Sequence, residues 1–387
     1  MPMTSHSINR MRTGAGMLLL LAGALMPAAG QASRLSFSVT PVEQVEGSTA
    51  KDDAKKQFGG AYAYAESVFS DDAVTVGGKI YYRLSSAANT DEEKQRMDIK
   101  KAYIKVRPLR NYIFECAIGK LYNYYLPGAY FSITEIYTGA SRWGKSGAGM
   151  RFSYGGFTAG AALPLSETNE AFKDGWGLNG GLSYDFSELN TALPLTAGLS
   201  VCFDAAEDGS VNSHSSDDFS GTASLYYNGA FSGMLSRLGV FASWSWNASP
   251  YVTNSSFKPV ASYKTADLQK AYFGSLGLRA KIGGVELTSE TEAGHSNKGS
   301  LVPFFTVFQL VVPVTNLLRL KPRAGYFAAW DTKHDTKSRD AYEIYPRVQL
   351  TAGRTFFTAG WQLHYRETAA DEYTWLWAVP LTLEIRL

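Results

Sequence analysis

The sequence has very little cysteine, a modest amount of proline and almost no excess of charge. Two cysteines, Cys116 and Cys202, in 387 residues exclude a disulfide-rich scaffold and allow either one bridge or two free thiols. The net charge is +2, from 37 Lys and Arg against 35 Asp and Glu, so nucleic acid is not expected as a partner. No metal-ligand spacing and no Gly-rich phosphate loop is found, and we therefore expect no cofactor and no metal.

Long apolar runs are also missing after the first 32 residues. The best later stretch, "LVPFFTVFQLVVPV" (301–314), is too short for a spanning helix and is interrupted by Pro303 and Pro313. At the start of the chain, Arg10 and Arg12 precede the apolar stretch "AGMLLLLAGALMPAAG", and small residues follow near Ala32. This pattern predicts a secretory signal peptide over residues 1–32 and an exported mature chain over 33–387.

What the mature chain does contain is a period of two. "VTVGGKIYYRL" (74–84) places Val74, Val76 and Ile80 on one face and polar residues on the other. "WGLNGGLSYDF", "LPLTAGLSVCF", "LGVFASWSW" and "RLKPRAGYFAAW" repeat this alternation. Strict alternation is typical of strands with one apolar face, and segments with a helical period are nearly absent. We therefore predict an all-β protein.

The connectors decide between a sandwich and a barrel. Long polar connectors such as "SSAANTDEEKQRM" and "AAEDGSVNSHSSDD" take turns with short ones such as "GG" (155–156 and 283–284). Transmembrane up-and-down barrels have short turns at one end and long loops at the other. The pattern predicts an antiparallel transmembrane β-barrel of about 16–18 strands, the upper count including "RLSFSVTPV" (34–42) and "FGGAYAYAESVF" (58–69).

The last strand, "YTWLWAVPLTLEIRL" (373–387), is apolar at every odd position. Its odd residues are predicted to face lipid, with Glu384 and Arg386 facing water, and Pro380 predicts a bulge or break because proline cannot donate to the ladder. With the signal peptide and the alternating strands, this chain resembles bacterial outer-membrane β-barrel proteins, the porin-like group in particular. In that group the last strand is the recognition signal for barrel assembly. The corresponding residues here are Trp375, Trp377, Leu383, Ile385 and Leu387, although the group usually ends in Phe or Trp.

The resemblance implies an outer-membrane location, contact with membrane lipid and with the barrel-assembly machinery, and passage of small hydrophilic solutes. A homo-oligomer is a further expectation, since many porins are trimers. A barrel of 16 or more strands leaves an aqueous channel, so we predict a porin-like channel for passive diffusion. Two alternatives stay open, a surface adhesin whose loops bind ligands and a transporter for hydrophobic compounds.

Basic residues dominate the predicted lumen face. By alternation it receives Lys79, Arg83, Lys101, Lys105, Arg107, Arg319, Lys321, Arg323 and Arg347. Rings of Lys and Arg lower the barrier to entry of anions, so an anion preference is one interpretation. In the other interpretation these residues pair with acids and give no selectivity.

One connector is long and apolar enough for a special role. Residues 125–147, "YLPGAYFSITEIYTGASRWGKSG", are predicted either to fold inward as a pore constriction or to extend two strands outside the membrane. The constriction would bring Glu135, Arg142 and Lys145 to the narrowest point. No catalytic pattern appears, because His295 and Ser296 are adjacent and would face opposite sides of a strand. We therefore do not expect an enzyme.

Overall fold

A single antiparallel sheet that closes on itself makes up the protein in its computed structural model. The structure describes residues 31–41, 43–45, 55–57, 60–84, 95–110, 113–120, 146–165, 177–204, 219–248, 271–296, 301–331, 336–369 and 372–386. Where two strand segments continue each other across a short interruption they are counted as one strand. On that count the described residues form 18 strands.

The strands are numbered here in chain order. The first nine are β1 (Gln31–Thr40 and Glu43–Val45), β2 (Lys55–Gln57 and Gly60–Ser70), β3 (Val74–Leu84), β4 (Gln95–Val106), β5 (Phe114–Lys120), β6 (Ser146–Tyr154), β7 (Phe157–Leu165), β8 (Gly177–Asp185) and β9 (Leu195–Asp204). The other nine are β10 (Phe219–Ala230), β11 (Leu235–Ala248), β12 (Ala271–Ile282), β13 (Val285–Ser296), β14 (Leu301–Pro313), β15 (Leu318–Leu320 and Arg323–Asp331), β16 (Thr336–Tyr345 and Arg347–Ala352), β17 (Thr355–Gly360 and Gln362–Ala369) and β18 (Glu372–Ala378 and Leu381–Arg386). A 3-10 helix, Phe186–Glu188, lies between β8 and β9.

Each strand pairs with the next, and the last pairs with the first. The closing pair joins β18 to β1, with Arg34 opposite Arg386 and Val39 opposite Leu381. The predicted all-β, up-and-down barrel is confirmed, and the strand number lies at the upper end of the predicted range. The additional pair is formed by β1 and β2, from the two segments that supported the higher count.

The turns at one end of the barrel are short. Gly155 and Gly156 (φ 53° and 80°) and Gly283 and Gly284 (φ 55° and 89°) form two-residue turns, which need positive φ at both positions. The first and last described strands also begin and end here, since Gln31 pairs with Phe69 and Arg386 with Arg34. We call this the turn end and the opposite one the loop end. The longest connectors of the loop end, 121–145 and 249–270, lie outside the described residues.

The outward face of the barrel is apolar and exposed. Its side chains include Val76, Ile104, Ile118, Leu182, Leu225, Leu276 and Phe308, each 43–58 % exposed. Near the loop end an aromatic girdle crosses β14 to β18 on this face. Its ring centroids lie 6.1 Å apart for Phe304–Trp330, 4.8 Å for Tyr326–Tyr342 and 4.6 Å for Tyr365–Trp375. An apolar belt edged by aromatic rings is the surface that a bilayer requires of a barrel.

Five neighbouring strands, β15 to β18 and β1, are interrupted at one common level. The breaks fall at 321–322 in β15, 346 in β16, 361 in β17, 379–380 in β18 and 41 in β1. Four of them contain a proline, namely Pro322, Pro346, Pro380 and Pro41, which has no N–H to donate. The predicted break at Pro380 is therefore present and is one part of a line of breaks, which we call the proline line.

The two cysteines lie on strands that are not neighbours. Cys116, on β5, is a free thiol and its backbone pairs with Met150 on β6 and Val106 on β4. Cys202 is on β9, four strands farther round the wall. Strands lie about 4.8 Å apart, so the Cα atoms are too far apart for a bridge within the chain.

Two further findings concern the ends and the helices. Residues 1–30 of the predicted signal peptide lie outside the described residues, so the signal peptide stays a prediction. Among the described residues there is no helix that is long and apolar enough to span a membrane.

Candidate functional site: the lumen wall

The inward side chains of β1 to β6 form a wall rich in positive charge. They alternate with outward apolar residues, so that Lys79 lies between Gly78 and Ile80, and Lys105 between Ile104 and Val106. Backbone register continues this face from strand to strand, with Glu66 opposite Lys79 and Glu115 opposite Arg151. We call the inward residues of these six strands the cationic wall.

Two basic residues of the cationic wall share one buried carboxylate. The Nε of Arg107 lies 3.0 Å from Oε2 of Glu115, and Nζ of Lys105 lies 3.7 Å from Oε1. Arg107 also donates to the Asp71 carbonyl (3.0 Å) and to Thr75 Oγ1 (2.9 Å). The side chains of Arg107 and Glu115 are only 6 % and 5 % exposed. This cluster therefore fixes the β2–β3 turn to β4 and β5 and keeps a net positive charge at the turn end.

A second cluster of the cationic wall surrounds a tyrosine. The ammonium of Lys79 lies 3.8 Å from the ring centre of Tyr64 and 3.7 Å from Oε2 of Glu66. The guanidinium of Arg34 lies 5.6 Å from the same ring and forms an ion pair with Glu384 across the closing seam. Arg34 stays 42 % exposed, so a positive group reaches the lumen here.

Farther round the barrel, β15 to β17 hold a third group of charges beside the proline line. Arg323 Nε donates to Oε1 of the fully buried Glu343 (2.6 Å), and Gln362 donates to its Oε2 (2.8 Å). His364 Nε2 lies 3.6 Å from the same Oε2. Arg347 donates to Gln309 and, at 3.1 Å, to the Lys321 carbonyl.

The ring of Tyr345 joins these arginines. It lies 5.5 Å from the guanidinium of Arg323 and 4.8 Å from that of Arg347. Cation–π contacts of this kind hold both guanidinium groups in place beside the lumen.

The structure brings together only part of the predicted set. Lys79, Lys105, Arg107, Arg323 and Arg347 have the contacts given above. The backbone of Lys101 pairs with Lys79 and that of Arg319 with Gln349. The side chain of Arg83 is exposed, and its backbone pairs with that of Tyr62. Lys321 lies within the break of β15 that belongs to the proline line.

Other predicted residues are placed as follows. Glu135, Arg142 and Lys145 lie outside the described residues, so the constriction stays a prediction. In the last strand Trp375 is 52 % exposed on the outward face, Leu383 and Ile385 pair with Phe37 and Leu35, and Trp377 pairs with Leu363. Leu387 is not among the described residues.

Sequence reasoning missed three residues that matter to the cationic wall. They are Arg34, Glu115 and Arg151. Glu115 and Arg151 each lie between two apolar residues, and Arg34 is followed by Leu35. The same period of two could have placed all three inside. Arg151 adds a cation opposite Glu115, and its Nε donates to Ser153 Oγ (3.2 Å).

One titrating group lies in a turn outside the membrane. Asp71, between β2 and β3, accepts from the backbone N–H of Val74 (2.6 Å) and of Ala73 (2.8 Å). These two hydrogen bonds favour the ionised carboxylate and hold the pKa of Asp71 below its ordinary value. Its carbonyl is the one that accepts from Arg107, so the turn and the cationic wall are joined.

The inward side chains of β7 to β11 form a second wall of different character, which we call the neutral wall. Toward the turn end this face carries the larger or charged residues Asp185, Tyr226, Arg237 and Phe241. Its other described members are mostly small, and many are hydroxylated: Thr158, Gly160, Ala162, Gly181, Ser183, Gly198, Ser200, Thr222, Ser224, Ser243 and Ser245. Thr222 and Ser245 share a buried hydrogen bond of 2.8 Å between their hydroxyls. Short side chains leave room in the lumen and add no charge to it.

Part of the inward face of β14 and β15 is apolar, unlike the polar inward faces described above. Three large apolar side chains lie on this face and are each at most 1 % exposed: Phe305, Val307 and Phe327. In the backbone, Phe305 is opposite Glu292, Val307 is opposite Glu290, and Phe327 is opposite Ala341. This part of the wall is packed and does not line open water. Among the described residues, no group of three or more His, Cys, Asp or Glu could hold a metal ion.

The fold matches solved structures of outer-membrane channels. No protein-family model matches the chain, and no curated protein matches it. OccK9 (OpdG) of Pseudomonas aeruginosa has a TM-score of 0.57 at 12 % identity, over 92 % of this chain and 98 % of that one. A BenF-like porin from Pseudomonas fluorescens Pf-5 has the same four values. OccAB2 of Acinetobacter baumannii has a TM-score of 0.55 at 8 % identity, over 92 % and 98 %.

At this identity the likeness concerns the fold. The closed barrel, its apolar belt and its polar lumen supply the physical reason for a membrane location, since a closed sheet pairs backbone groups from strand to strand and presents a largely apolar face to lipid. The turn end then faces the periplasm, as short turns do in such barrels. The chain is a transmembrane β-barrel of the bacterial outer membrane, with the fold of the porins and channels of that membrane.

Proposed function

We propose that this barrel is a channel for passive diffusion of small hydrophilic solutes, with a preference for anions. The observation that carries the proposal is the cationic wall. Its ion pairs join four basic residues, Arg34, Lys79, Lys105 and Arg107, to three acids, Glu66, Glu115 and Glu384. A fifth basic residue, Arg151, lies opposite Glu115 on the next strand. A lumen with excess positive charge lowers the electrostatic barrier for anions and raises it for cations.

The ion pairs bear on both interpretations of the basic residues, anion preference and neutralisation by acids. The acids that neutralise part of the cationic wall belong to the strands themselves, and they leave a surplus of positive groups. Arg34 keeps 42 % of its side chain exposed, whereas Arg107 is 6 % exposed. We therefore propose that Arg34, Lys79 and Arg151 meet the solute, while Arg107 and Glu115 hold the wall together.

Single-channel recording in planar bilayers tests the channel itself. Purified protein, shown to be folded by its heat-modifiable migration in detergent gels, should give discrete conductance steps. A folded barrel that inserts and gives no steps would contradict the proposal and favour a surface adhesin.

The connector 125–147 is proposed to narrow the lumen, as its length and aromatic content indicate. Deleting residues 130–142 removes Glu135 and Arg142 and should raise single-channel conductance. A deletion of similar length in connector 249–270 serves as the control and should leave conductance unchanged. Equal conductance in the wild type and the 130–142 deletion would contradict an inward loop.

The last strand is proposed to be the segment by which the assembly machinery recognises the chain. Trp375 is exposed on its outward face, and this strand also closes the barrel. Replacing Leu383 and Ile385 by Ser should lower the amount of folded barrel in the outer membrane, measured by the folded band in membrane fractions. A comparable change at Leu225 and Leu276, which are outward but far from the seam, is the control.

A further inference from the structure

The outward face of the barrel contains a depression beside the closing seam. It is a groove of about 270 Å³ on β1, β2, β3, β17 and β18. Its lining is Phe37, Ser38, Val39, Ala61, Tyr62, Ala63, Tyr82, Phe357, Leu381, Thr382 and Leu383. Among these, the residues that point outward are all apolar apart from the hydroxyl of Tyr82.

The groove exists because β2 has alanines where its neighbours have large side chains. Ala63 pairs with Phe37 on one side and with Tyr82 on the other. Below them Leu35, Ala65 and Ile385 pack into a cluster, in which Leu35 is 8 % and Ala65 2 % exposed. Phe37 and Tyr82 therefore lie on the two sides of the groove, and Ala63 forms its base. The cluster of Leu35, Ala65 and Ile385 closes it toward the turn end, and the whole groove lies on the turn-end side of the proline line.

A basic residue lies in the turn at the periplasmic end of β17, one of the strands that line the groove. The outward residues Phe357 and Thr355 of β17 lead to Arg354 in the turn between β16 and β17, where Arg354 is exposed. Its carbonyl accepts from the N–H of Arg386 at 2.9 Å, which fixes the turn to the end of β18. In the membrane, Arg354 is level with the headgroups of the periplasmic leaflet.

We propose that this groove holds one acyl chain of an anionic phospholipid of the periplasmic leaflet, with the phosphate near Arg354. Acyl chains are the molecules that meet the barrel at this depth, and an unfilled groove would forfeit the dispersion contacts of its walls. Arg354 supplies the charge complementarity that selects an anionic headgroup, as basic groups at membrane surfaces do. The proposal depends on the membrane-spanning barrel and not on what passes through its lumen.

Native mass spectrometry of the detergent-purified mature protein tests the site with palmitoyl-oleoyl phosphatidylglycerol as the probe. The wild type should retain one lipid at concentrations where further lipids dissociate. Ala63→Phe fills the groove and should lower the affinity for that lipid at least about tenfold, by removing the contacts of the acyl chain. Arg354→Gln should lower it about fivefold, the factor for one basic group at about 1 kcal/mol, and should leave binding of phosphatidylethanolamine unchanged.

Ala223→Phe is the matched control. Ala223 is an exposed alanine on β10 that pairs with Trp244, so the same substitution there enlarges the outward face without touching the groove. Its lipid binding should equal that of the wild type. Equal loss in Ala63→Phe and Ala223→Phe, or no loss in Ala63→Phe, would overturn the site. A wild-type oligomer that Ala63→Phe dissociates, with no change in bound lipid, would overturn it in favour of an interface between copies of the chain.

Discussion

The cationic wall and the neutral wall stand side by side in one lumen and are built differently. On the cationic wall long charged side chains cross from strand to strand, as Arg107 does from the end of β4 to Glu115 on β5. On the neutral wall most inward residues are short, and one contact that joins strands is a pair of hydroxyls, Thr222 and Ser245. The first wall contributes positive charge to the lumen, and the short side chains of the second leave the lumen wide.

Because of this difference, ion preference and the space for a solute depend on different walls of the lumen. A charge on one side of the lumen attracts an anion toward that side, and its effect falls off within about 10 Å at moderate salt. The neutral wall lies farther from these charges and leaves space for the rest of the solute. Changes on the cationic wall should therefore alter stability and ion preference, and changes on the neutral wall should alter each of them less.

The largest effect is expected at Glu115. Glu115→Ala removes the carboxylate that Lys105 and Arg107 share and leaves two cations close together in a buried place. Breaking such a pair should lower the free energy of unfolding by about 3 kcal/mol, measured by guanidinium unfolding in detergent.

The control is Glu286, whose pair with Arg279 (2.7 Å) is 28 % exposed on the acid and 38 % on the base. Glu286→Ala should cost about 0.5 kcal/mol, as for a solvent-exposed pair. Similar losses for the two variants would show that burial of the Glu115 cluster does not matter.

Ion preference should change next. The double variant Lys79→Gln/Arg151→Gln removes two positive groups from the cationic wall and should lower the anion-to-cation permeability ratio about threefold, for a barrier change below about 1 kcal/mol. Thr158→Lys places a cation on the neutral wall and should raise the ratio. Reversal potentials in planar bilayers measure both, and a double variant with the wild-type ratio would contradict the role of the cationic wall.

On the neutral wall the expected loss of stability is smaller. Ser245→Ala removes the hydroxyl that lies 2.8 Å from Thr222 Oγ1 and should lower the free energy of unfolding by about 1 kcal/mol. Ser243 is the matched control because its buried hydroxyl finds no hydrogen-bond partner among the described residues. Ser243→Ala should leave stability unchanged or raise it, and a loss equal to that of Ser245→Ala would contradict the assignment.

The smallest effect on stability is expected at Asp71, in the β2–β3 turn that Arg107 of the cationic wall contacts. The pKa of Asp71 is lowered in the folded state, so its contribution to stability is present above the unfolded value of 3.8 and is lost as the pH falls through the folded value. Asp71→Asn should therefore be less stable than the wild type at neutral pH, and the difference should vanish in acid. A difference that stays constant across this pH range would contradict the two backbone hydrogen bonds.

Much of this lumen could be predicted from the period of two alone. Alternation placed Lys79, Lys105 and Arg323 inside and the odd residues of the last strand outside, because a strand sends successive side chains to opposite faces. Arg34, beside Leu35, and Arg151, between Met150 and Phe152, follow the same rule. The break at Pro380 was predicted from the missing donor of proline.

The contacts between strands could not be predicted. Which acid meets Arg107 depends on the register of β4 against β5, and connector length does not fix that register. The proline line is a property of five strands at once, so a single proline cannot reveal it. The groove likewise needs Ala63 to lie between Phe37 and Tyr82, which are 26 and 19 residues distant in the sequence and meet only through pairing.

The most direct measurement is the zero-current potential of the wild-type channel in a planar bilayer with a gradient of potassium chloride. The surplus of positive charge on the cationic wall predicts a potential whose sign reports a greater permeability for chloride than for potassium. A potential of the opposite sign, or none at all from an open channel, would contradict the claim that this wall sets the selectivity of the lumen.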